Sequence, residues 1–134
     1  MIDRRGIILA SVALASGALA GVGRSHRAEA ASGSGSFQLI MAVQRGCIYC
    51  AAWRREVGPG YAQSDPGRRA PLVEVAIDGP WPDGLVLARR PHLTPTFVLV
   101  RGGIELERIE GYPGADAFYR TLSDMLKSAG AGLR

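Results

Sequence analysis

The residues of this chain best suited to chemistry are its two cysteines, Cys47 and Cys50, which enclose the dipeptide Ile48-Tyr49. From Cys47 onward the apolar positions take helical spacing, with Cys50, Trp53 and Val57 on one side. A helix N-terminus presents unpaired N–H groups and the positive end of the helix dipole, and both stabilise an anion. We therefore expect Cys47 to ionise more readily than a free thiol, whose pKa is about 8.5, and Cys50 to be the less exposed thiol.

These properties suit thiol–disulfide exchange. The Cys47 thiolate would attack a disulfide of another molecule, and Cys50 would then break the mixed disulfide by closing the Cys47–Cys50 bridge. Arg45 would add to the stabilisation of the thiolate if its side chain turned toward Cys47. This scheme requires no cofactor beyond the redox-active disulfide itself.

Two other uses of the cysteine pair remain open. A structural bridge that closes so small a ring contributes only about 2 kcal/mol in the loop-entropy model, against about 4.7 kcal/mol for a hundred-residue loop. A zinc or copper site would need more ligands, and His92 is the only histidine that follows the N-terminal segment. Redox exchange is the use that the residues favour.

Composition limits the remaining classes. The chain has 134 residues, a formal charge of +4, 47% hydrophobic and 21% charged residues, which indicates one globular domain and excludes a disordered or fibrous protein. Two cysteines are too few for a multi-bridge secreted scaffold. The arginines are scattered without interleaved aromatic residues, so no nucleic-acid partner is expected.

The first thirty residues are predicted to be an export signal. Arg4 and Arg5 precede an uncharged, weakly apolar stretch from Gly6 to Gly23, and Ala28-Glu29-Ala30 provides a processing site. Ala18-Leu19-Ala20 satisfies the same processing rule earlier, but we favour cleavage after Ala30. A twin-arginine signal and an ordinary secretory signal both fit. Residues 31–36 read as a flexible segment, and the domain is expected over residues 37–130.

The first half of the domain has the pattern of a β-α-β unit. Phe37 to Val43 is an apolar run of strand length, which suits a strand buried on both faces of a sheet. The helix from Cys47 ends before Gly58-Pro59-Gly60, and a second strand is predicted from Leu72 to Ile77 after the turn-rich Ser64 to Gly67. The two strands should be parallel with a right-handed crossover.

The second half predicts a hairpin and a closing helix. A short helix is expected from Gly84 to Arg90, followed by strands at Thr96 to Val100 and Ile104 to Ile109. Ile104 and Leu106 alternate with Glu105 and Glu107, so one face of the last strand should be exposed to solvent. The apolar residues from Phe118 recur at helical spacing up to Gly130. The predicted class is α/β, in the order β-α-β-α-β-β-α.

The order of three motifs gives the chain a specific resemblance, from Phe37 to Lys127, to the thioredoxin superfamily. The motifs are a CxxC at a strand-to-helix junction, Thr94-Pro95-Thr96 at the start of a hairpin, and Gly111 before the last helix. Four stretches are similar, more narrowly, to the periplasmic thioredoxins of bacterial sulfur-oxidation systems, the SoxS type. These stretches are Leu39–Ala42, Gly46–Ala51, Thr94–Leu99 and Arg108–Gly114.

The resemblance implies a thioredoxin-like fold, a compact four-stranded mixed sheet flanked by helices, and a docking edge for substrates. In that family the proline matching Pro95 is cis and faces the CxxC, and the residue matching Thr94 pairs through its backbone with the substrate chain. Residue frequencies alone favour a trans bond, because only about 5 to 6% of X–Pro bonds are cis. Thr94 and Pro95 thus join Cys47 and Cys50 as candidate site residues.

The resemblance also implies a location and partners. It points to a monomeric periplasmic reductase of protein disulfides, supplied with electrons by a membrane thiol transporter. Its client would be the cysteine-bearing sulfur carrier protein of sulfur oxidation. Two alternatives stay open: the same fold acting as a disulfide donor or isomerase, and a metal-binding CxxC module.

Departures from cytoplasmic thioredoxin limit the transfer of detail. Gly46 replaces a tryptophan, Ile48-Tyr49 replaces Gly-Pro, and Met41 stands where a buried aspartate would be. The sequence therefore identifies no proton acceptor for Cys50. We expect His92 to be an exposed loop residue, and three aromatic residues to serve in core or rim packing. These are Trp53, Trp81 and Tyr112.

Overall fold

A computed structural model describes residues 35–133 of the chain. The predicted export signal, and the segment 31–36 up to residue 34, lie outside these residues. The helices and strands are β1 (Phe37–Val43), α1 (Ile48–Glu56), α2 (Gly58–Tyr61), α3 (Asp65–Arg69), β2 (Leu72–Ala76), β3 (Thr96–Arg101), β4 (Ile104–Glu110) and α4 (Ala115–Ser128). Among the described residues, no helix has the length and apolarity needed to cross a bilayer.

The four strands form one mixed sheet in the order β2-β1-β3-β4. β1 pairs with β2 in parallel and with β3 antiparallel, and β3 pairs antiparallel with β4. The apolar run of β1 is central, and Leu39, Ile40, Met41 and Ala42 are all buried. The parallel β-α-β unit, the strand with two buried faces and the terminal hairpin are thereby confirmed.

The larger hydrophobic core lies between the sheet and helices α1 and α4. Its centre is a group of aromatic rings, in which Phe97 of β3 and Phe118 of α4 have centroids 4.8 Å apart. Trp53 of α1 lies 5.7 Å from Phe97 and 5.8 Å from Phe118. Because rings at such distances interact favourably beyond their burial, this group fixes α1 against β3.

The opposite face of the sheet is covered by an extended segment. The prediction of a short helix from Gly84 to Arg90 is wrong: Leu85 and Leu87 pack on the sheet, whereas Val86 points outward and bridges to Ile104. Backbone hydrogen bonds from Val86 N to Gly103 O (2.8 Å) and from Glu105 N to Val86 O (2.9 Å) hold the segment. Alternation of buried and exposed residues with period two is the mark of an extended chain.

Two short helices occupy the region predicted to be a helix stop and a turn. Prolines stand in the first turns of α2 and α3, where a missing N–H costs no helical bond. Ser64 caps α3, with its Oγ accepting from Gly67 N at 3.0 Å. A Cβ on Gly67 would lie 1.7 Å from the carbonyl oxygen of Tyr61, so this close approach requires glycine.

The last strand, β4, does not have the solvent-exposed face that the alternation of its apolar and acidic residues predicts. A β-bulge shifts the register so that Leu99 pairs with Glu107 and Val100 with Glu105, leaving Leu106 as the extra residue. The bulge brings Glu105 and Arg108 to the same face, where their side chains are only 7% and 8% exposed. Ile104, by contrast, is 56% exposed.

Candidate active site

Cys47 stands at the N-cap of α1, immediately after the loop that leaves β1. Its Sγ accepts a hydrogen bond from Cys50 N at 3.1 Å, and its carbonyl accepts from Ala51 N at 3.1 Å. The sulfur thus receives an N–H group that would otherwise have no partner at the start of the helix. The predicted helix start at the cysteine pair is confirmed.

Cys47 and Cys50 are joined in a disulfide, with their Cα atoms 5.2 Å apart. Cys50 is fully buried, whereas Cys47 is partly exposed, as the helical spacing predicts. Between them, Ile48 is 70% and Tyr49 is 57% exposed. A partner can therefore reach Cys47 from solvent but cannot reach Cys50.

The position six residues before Cys47 supplies no carboxylate. Met41 is fully buried there, in the same apolar cluster as Cys50 and Trp53. Its thioether neither donates nor readily accepts a proton. A proton that leaves the Cys50 thiol must therefore be taken by another group.

Thr94 and Pro95 lie at the same end of the sheet as the loop that leads from β1 to Cys47. Ala42, near the end of β1, pairs with Thr96 at the start of β3, so the two loops leave these central strands at one end. The Thr94–Pro95 peptide bond is cis. Pro95 O accepts from Gly111 N at 2.7 Å, whereas the N–H and C=O of Thr94 have no hydrogen-bond partner within residues 35–133. The backbone N–H and C=O of Thr94 are thus open to a partner at this end of the sheet.

An open groove of about 500 Å³ adjoins Cys47 on the side of β2. Its lining is predominantly apolar, with two arginines and no carboxylate: Val43, Gln44, Arg45, Gly46, Cys47, Ile48, Ala51, Arg54 and Ala76. The sequence alone did not reveal this groove. The available signal was Gly46, which presents no side chain where cytoplasmic thioredoxin has a tryptophan.

The other residues noted in the sequence have structural roles or stand apart. Tyr112 packs on the core rim, and its hydroxyl hydrogen-bonds Glu56; desolvation and this bond raise the pKa of Tyr112 to about 12. Trp81 Nε1 donates to Ile77 O at 3.2 Å. His92 is exposed. Within residues 35–133, no cluster of three His, Cys, Asp or Glu side chains is placed to hold a metal ion.

A disulfide-forming cysteine pair at a helix N-terminus, at the same end of the sheet as Thr94-Pro95, defines a thiol–disulfide oxidoreductase with a thioredoxin-like fold. No protein-family model and no curated protein matches the chain significantly. Among solved structures, the chain is similar to the periplasmic thioredoxin SoxS from Paracoccus pantotrophus in its reduced form. The identity is 45% and the TM-score 0.69, over 70% of this chain and 99% of that one. The chain therefore belongs to the thioredoxins, and within them to the SoxS type.

Proposed function

We propose that this protein is a periplasmic reductase of protein disulfides in which Cys47 is the nucleophile and Cys50 the resolving thiol. The observation that carries this assignment is the difference between the two sulfurs. Cys47 Sγ is partly exposed and accepts an N–H at the start of α1, whereas Cys50 is fully buried. An N–H donor and the helix dipole both stabilise a thiolate at Cys47.

The reaction begins from the reduced protein. The Cys47 thiolate attacks one sulfur of the client disulfide, and the other client sulfur leaves as a thiolate that takes a proton from solvent. Cys50 then attacks Cys47 Sγ and the second client sulfur leaves as a thiolate, which takes up a proton equivalent to the one that the Cys50 thiol gives up to solvent. The client leaves as a dithiol with two electrons, and the protein is left with the Cys47–Cys50 disulfide.

Thr94 and Pro95 form the docking edge for the client. The free N–H and C=O of Thr94 can pair with an extended client segment, as when a peptide adds to the edge of a sheet. Such pairing depends on the client backbone and accepts many side chains. It would hold the client cysteine beside Cys47 during the attack.

The compartment and the client rest on the similarity to the periplasmic SoxS and on the predicted export signal. We propose that the signal is removed after Ala30 and that the mature protein acts as a monomer in the periplasm. Its client would be the cysteine-bearing sulfur carrier protein of sulfur oxidation, kept active by reduction of unwanted disulfides. A membrane thiol transporter would restore the dithiol, because the periplasm is kept oxidising.

Trapping with Cys50→Ser tests this proposal, because the variant can form the mixed disulfide but cannot resolve it. The carrier protein should be found bound through Cys47 in periplasmic extracts, and the matched variant Cys47→Ser should trap nothing. Capture of only unrelated abundant proteins would contradict the specific client. A reduction potential near −270 mV would support reduction, and one near −120 mV would instead make the protein a disulfide donor.

A further inference from the structure

The segment that carries the docking edge has no regular secondary structure of its own. Residues 88–95, which we call the strap, run from just after the bridge at Val86 to the start of β3 and form neither helix nor strand. The strap ends at Thr94 and Pro95. Its position therefore sets where the free N–H and C=O of Thr94 stand relative to Cys47.

Side chains of β4 hold the first part of the strap. Glu105 Oε2 accepts from Ala88 N at 2.7 Å, and Arg108 Nη2 donates to Arg89 O at 2.6 Å. The side chain of Arg89 in turn pairs with Glu110. The strap is thus fastened to β4 through side chains, without the ladder of backbone bonds that holds a strand.

The second part of the strap is fixed on both sides of Thr94. Thr96 Oγ1 donates to Leu93 O at 2.7 Å, and Gly111 N donates to Pro95 O at 2.7 Å. These bonds use the carbonyl groups of the two neighbours and leave the backbone of Thr94 free. The order of the strap between Arg89 and Leu93 consequently depends on how firmly its first part is held.

The anchor on β4 is a buried ion pair. Arg108 Nε and Nη2 donate to Glu105 at 2.7 and 2.8 Å, and the two side chains are only 8% and 7% exposed. Well-packed apolar residues often stabilise a protein as much as such a pair does, because both charges lose their hydration on burial. Leucines at these positions would offer no acceptor to Ala88 N and no donor to Arg89 O. Holding the strap backbone is therefore the task that requires charged residues here.

We propose that Glu105 and Arg108 are positioning residues for the exchange reaction. They act through the strap, which they hold so that the backbone of Thr94 is presented to the client beside Cys47. Without this anchor the strap would have to be ordered each time a client docks, and that ordering would reduce the gain from pairing. This inference rests on the proposed function, because it concerns how the client of Cys47 is docked.

The test compares two disulfides that differ in whether they have a backbone to dock. One is bis(2-hydroxyethyl) disulfide, and the other is a short peptide whose single cysteine is joined to 2-mercaptoethanol. Either substrate takes two electrons from the reduced protein, so two substrate thiols are released and the Cys47–Cys50 disulfide forms. Chromatography of acid-quenched samples measures the oxidised protein, which gives a second-order rate constant for each substrate. The ratio of the two constants is the peptide preference.

Three variants are compared with the wild type under conditions in which each is folded. Glu105→Gln breaks the ion pair, and Glu107→Gln is the matched control, because Glu107 is exposed on the same strand. The double variant Glu105→Leu with Arg108→Leu removes the anchor without leaving an unpaired buried charge. If Glu105→Gln does not fold, the double variant decides alone.

The wild type should react about five- to a hundredfold faster with the peptide, the preference that about two backbone hydrogen bonds provide. Glu105→Gln should bring the two rate constants to within about threefold of each other, mainly by slowing the peptide reaction. Its rate with bis(2-hydroxyethyl) disulfide and the pKa of Cys47 should stay those of the wild type. Glu107→Gln should keep the preference. The double variant should lose it although its stability is closer to that of the wild type, which separates positioning from stability.

Other results would overturn one or both proposals. Equal slowing of both substrates in Glu105→Gln would attribute the effect to the fold, and a full peptide preference in the double variant would show that the strap needs no charged anchor. A wild type without peptide preference would refute docking through Thr94 and with it the positioning role, while leaving the dithiol chemistry intact. Failure of both disulfides to oxidise the reduced wild type would refute the proposed function itself.

Discussion

Replacing Glu105 by Gln should destabilise the protein far more than its place on a surface strand indicates. Arg108 Nε and Nη2 donate to Glu105 at 2.7 and 2.8 Å, and Glu105 Oε2 also accepts from Ala88 N at 2.7 Å. Arg108 Nη2 further donates to Arg89 O at 2.6 Å. The pair therefore fastens the segment that leads to Thr94 and Pro95 onto β4.

The magnitude depends on how far the pair is removed from water. An exposed ion pair contributes about 0.2 to 1 kcal/mol, whereas removal of one partner from a buried pair costs about 3 to 5 kcal/mol. Both side chains are less than a tenth exposed, and Glu110, at 3.8 Å, is the nearest remaining carboxylate in the described ion pairs of Arg108. We expect Glu105→Gln to cost about 3 kcal/mol, which is more than a hundredfold in the unfolding equilibrium.

Urea unfolding at neutral pH, followed by tryptophan fluorescence, measures this cost. Glu107→Gln is the matched control, because Glu107 is exposed on the same strand, and it should change stability by less than about 0.5 kcal/mol. The double change Glu105→Leu and Arg108→Leu should be milder than Glu105→Gln, since it leaves no unpaired buried charge. A loss below about 0.5 kcal/mol for Glu105→Gln would refute the reasoning.

Three further predictions concern acid, the core and the docking edge. Hydrogen bonds from Arg108 lower the pKa of Glu105 from its ordinary value of 4.5. The free energy of unfolding should therefore fall as the pH drops below about 4.5 and through the lowered pKa of Glu105. Urea midpoints measured across this pH range should fall less steeply for Glu105→Gln than for the wild type. Phe118→Ala should cost about 3 to 5 kcal/mol in the same assay, because this ring is fully buried; a smaller loss would contradict its central role. Thr94→Ala should keep the rate of client reduction within about twofold, since the docking edge uses backbone groups; a much larger loss would show that the side chain is needed.

The sequence predicts the sheet and the position of the cysteine pair well, because these follow from strong local patterns. The run Phe37 to Val43 is apolar throughout, and the spacing of Cys50, Trp53 and Val57 is helical. Each pattern recurs along a single strand or helix, so it can be recognised from neighbouring residues alone. The structure places the strand and the helix at these positions.

Features that depend on contacts between distant residues were not predictable in this way. The segment from Gly84 to Arg90 is extended because it pairs with the hairpin turn and β4. The burial of Glu105 depends on a one-residue bulge, which alternation along a single strand does not reveal. Residue frequencies favour trans X–Pro bonds, whereas Gly79–Pro80 and Thr94–Pro95 are cis; only the family resemblance pointed to a cis bond, at Thr94–Pro95.

The candidate site also has features that the sequence predicts and features that need the fold. The CxxC motif, its place at a helix start and the greater burial of Cys50 could be predicted from the sequence. The groove required the fold, because Ala76 of β2 and Arg54 of α1 reach Cys47 only through the parallel crossover. The surface beside the cysteine pair is thus harder to predict from the sequence than the pair itself.

The central claim is that Cys47 is the ionised nucleophile and Cys50 the protected partner. Alkylation of the fully reduced protein across a pH series, with the modified cysteine identified by mass spectrometry, tests this most directly. We expect a single modification at Cys47 with an apparent pKa below the 8.5 of a free thiol, and none at Cys50 until the protein unfolds. Equal modification of both cysteines, or preferential modification of Cys50, would contradict the account.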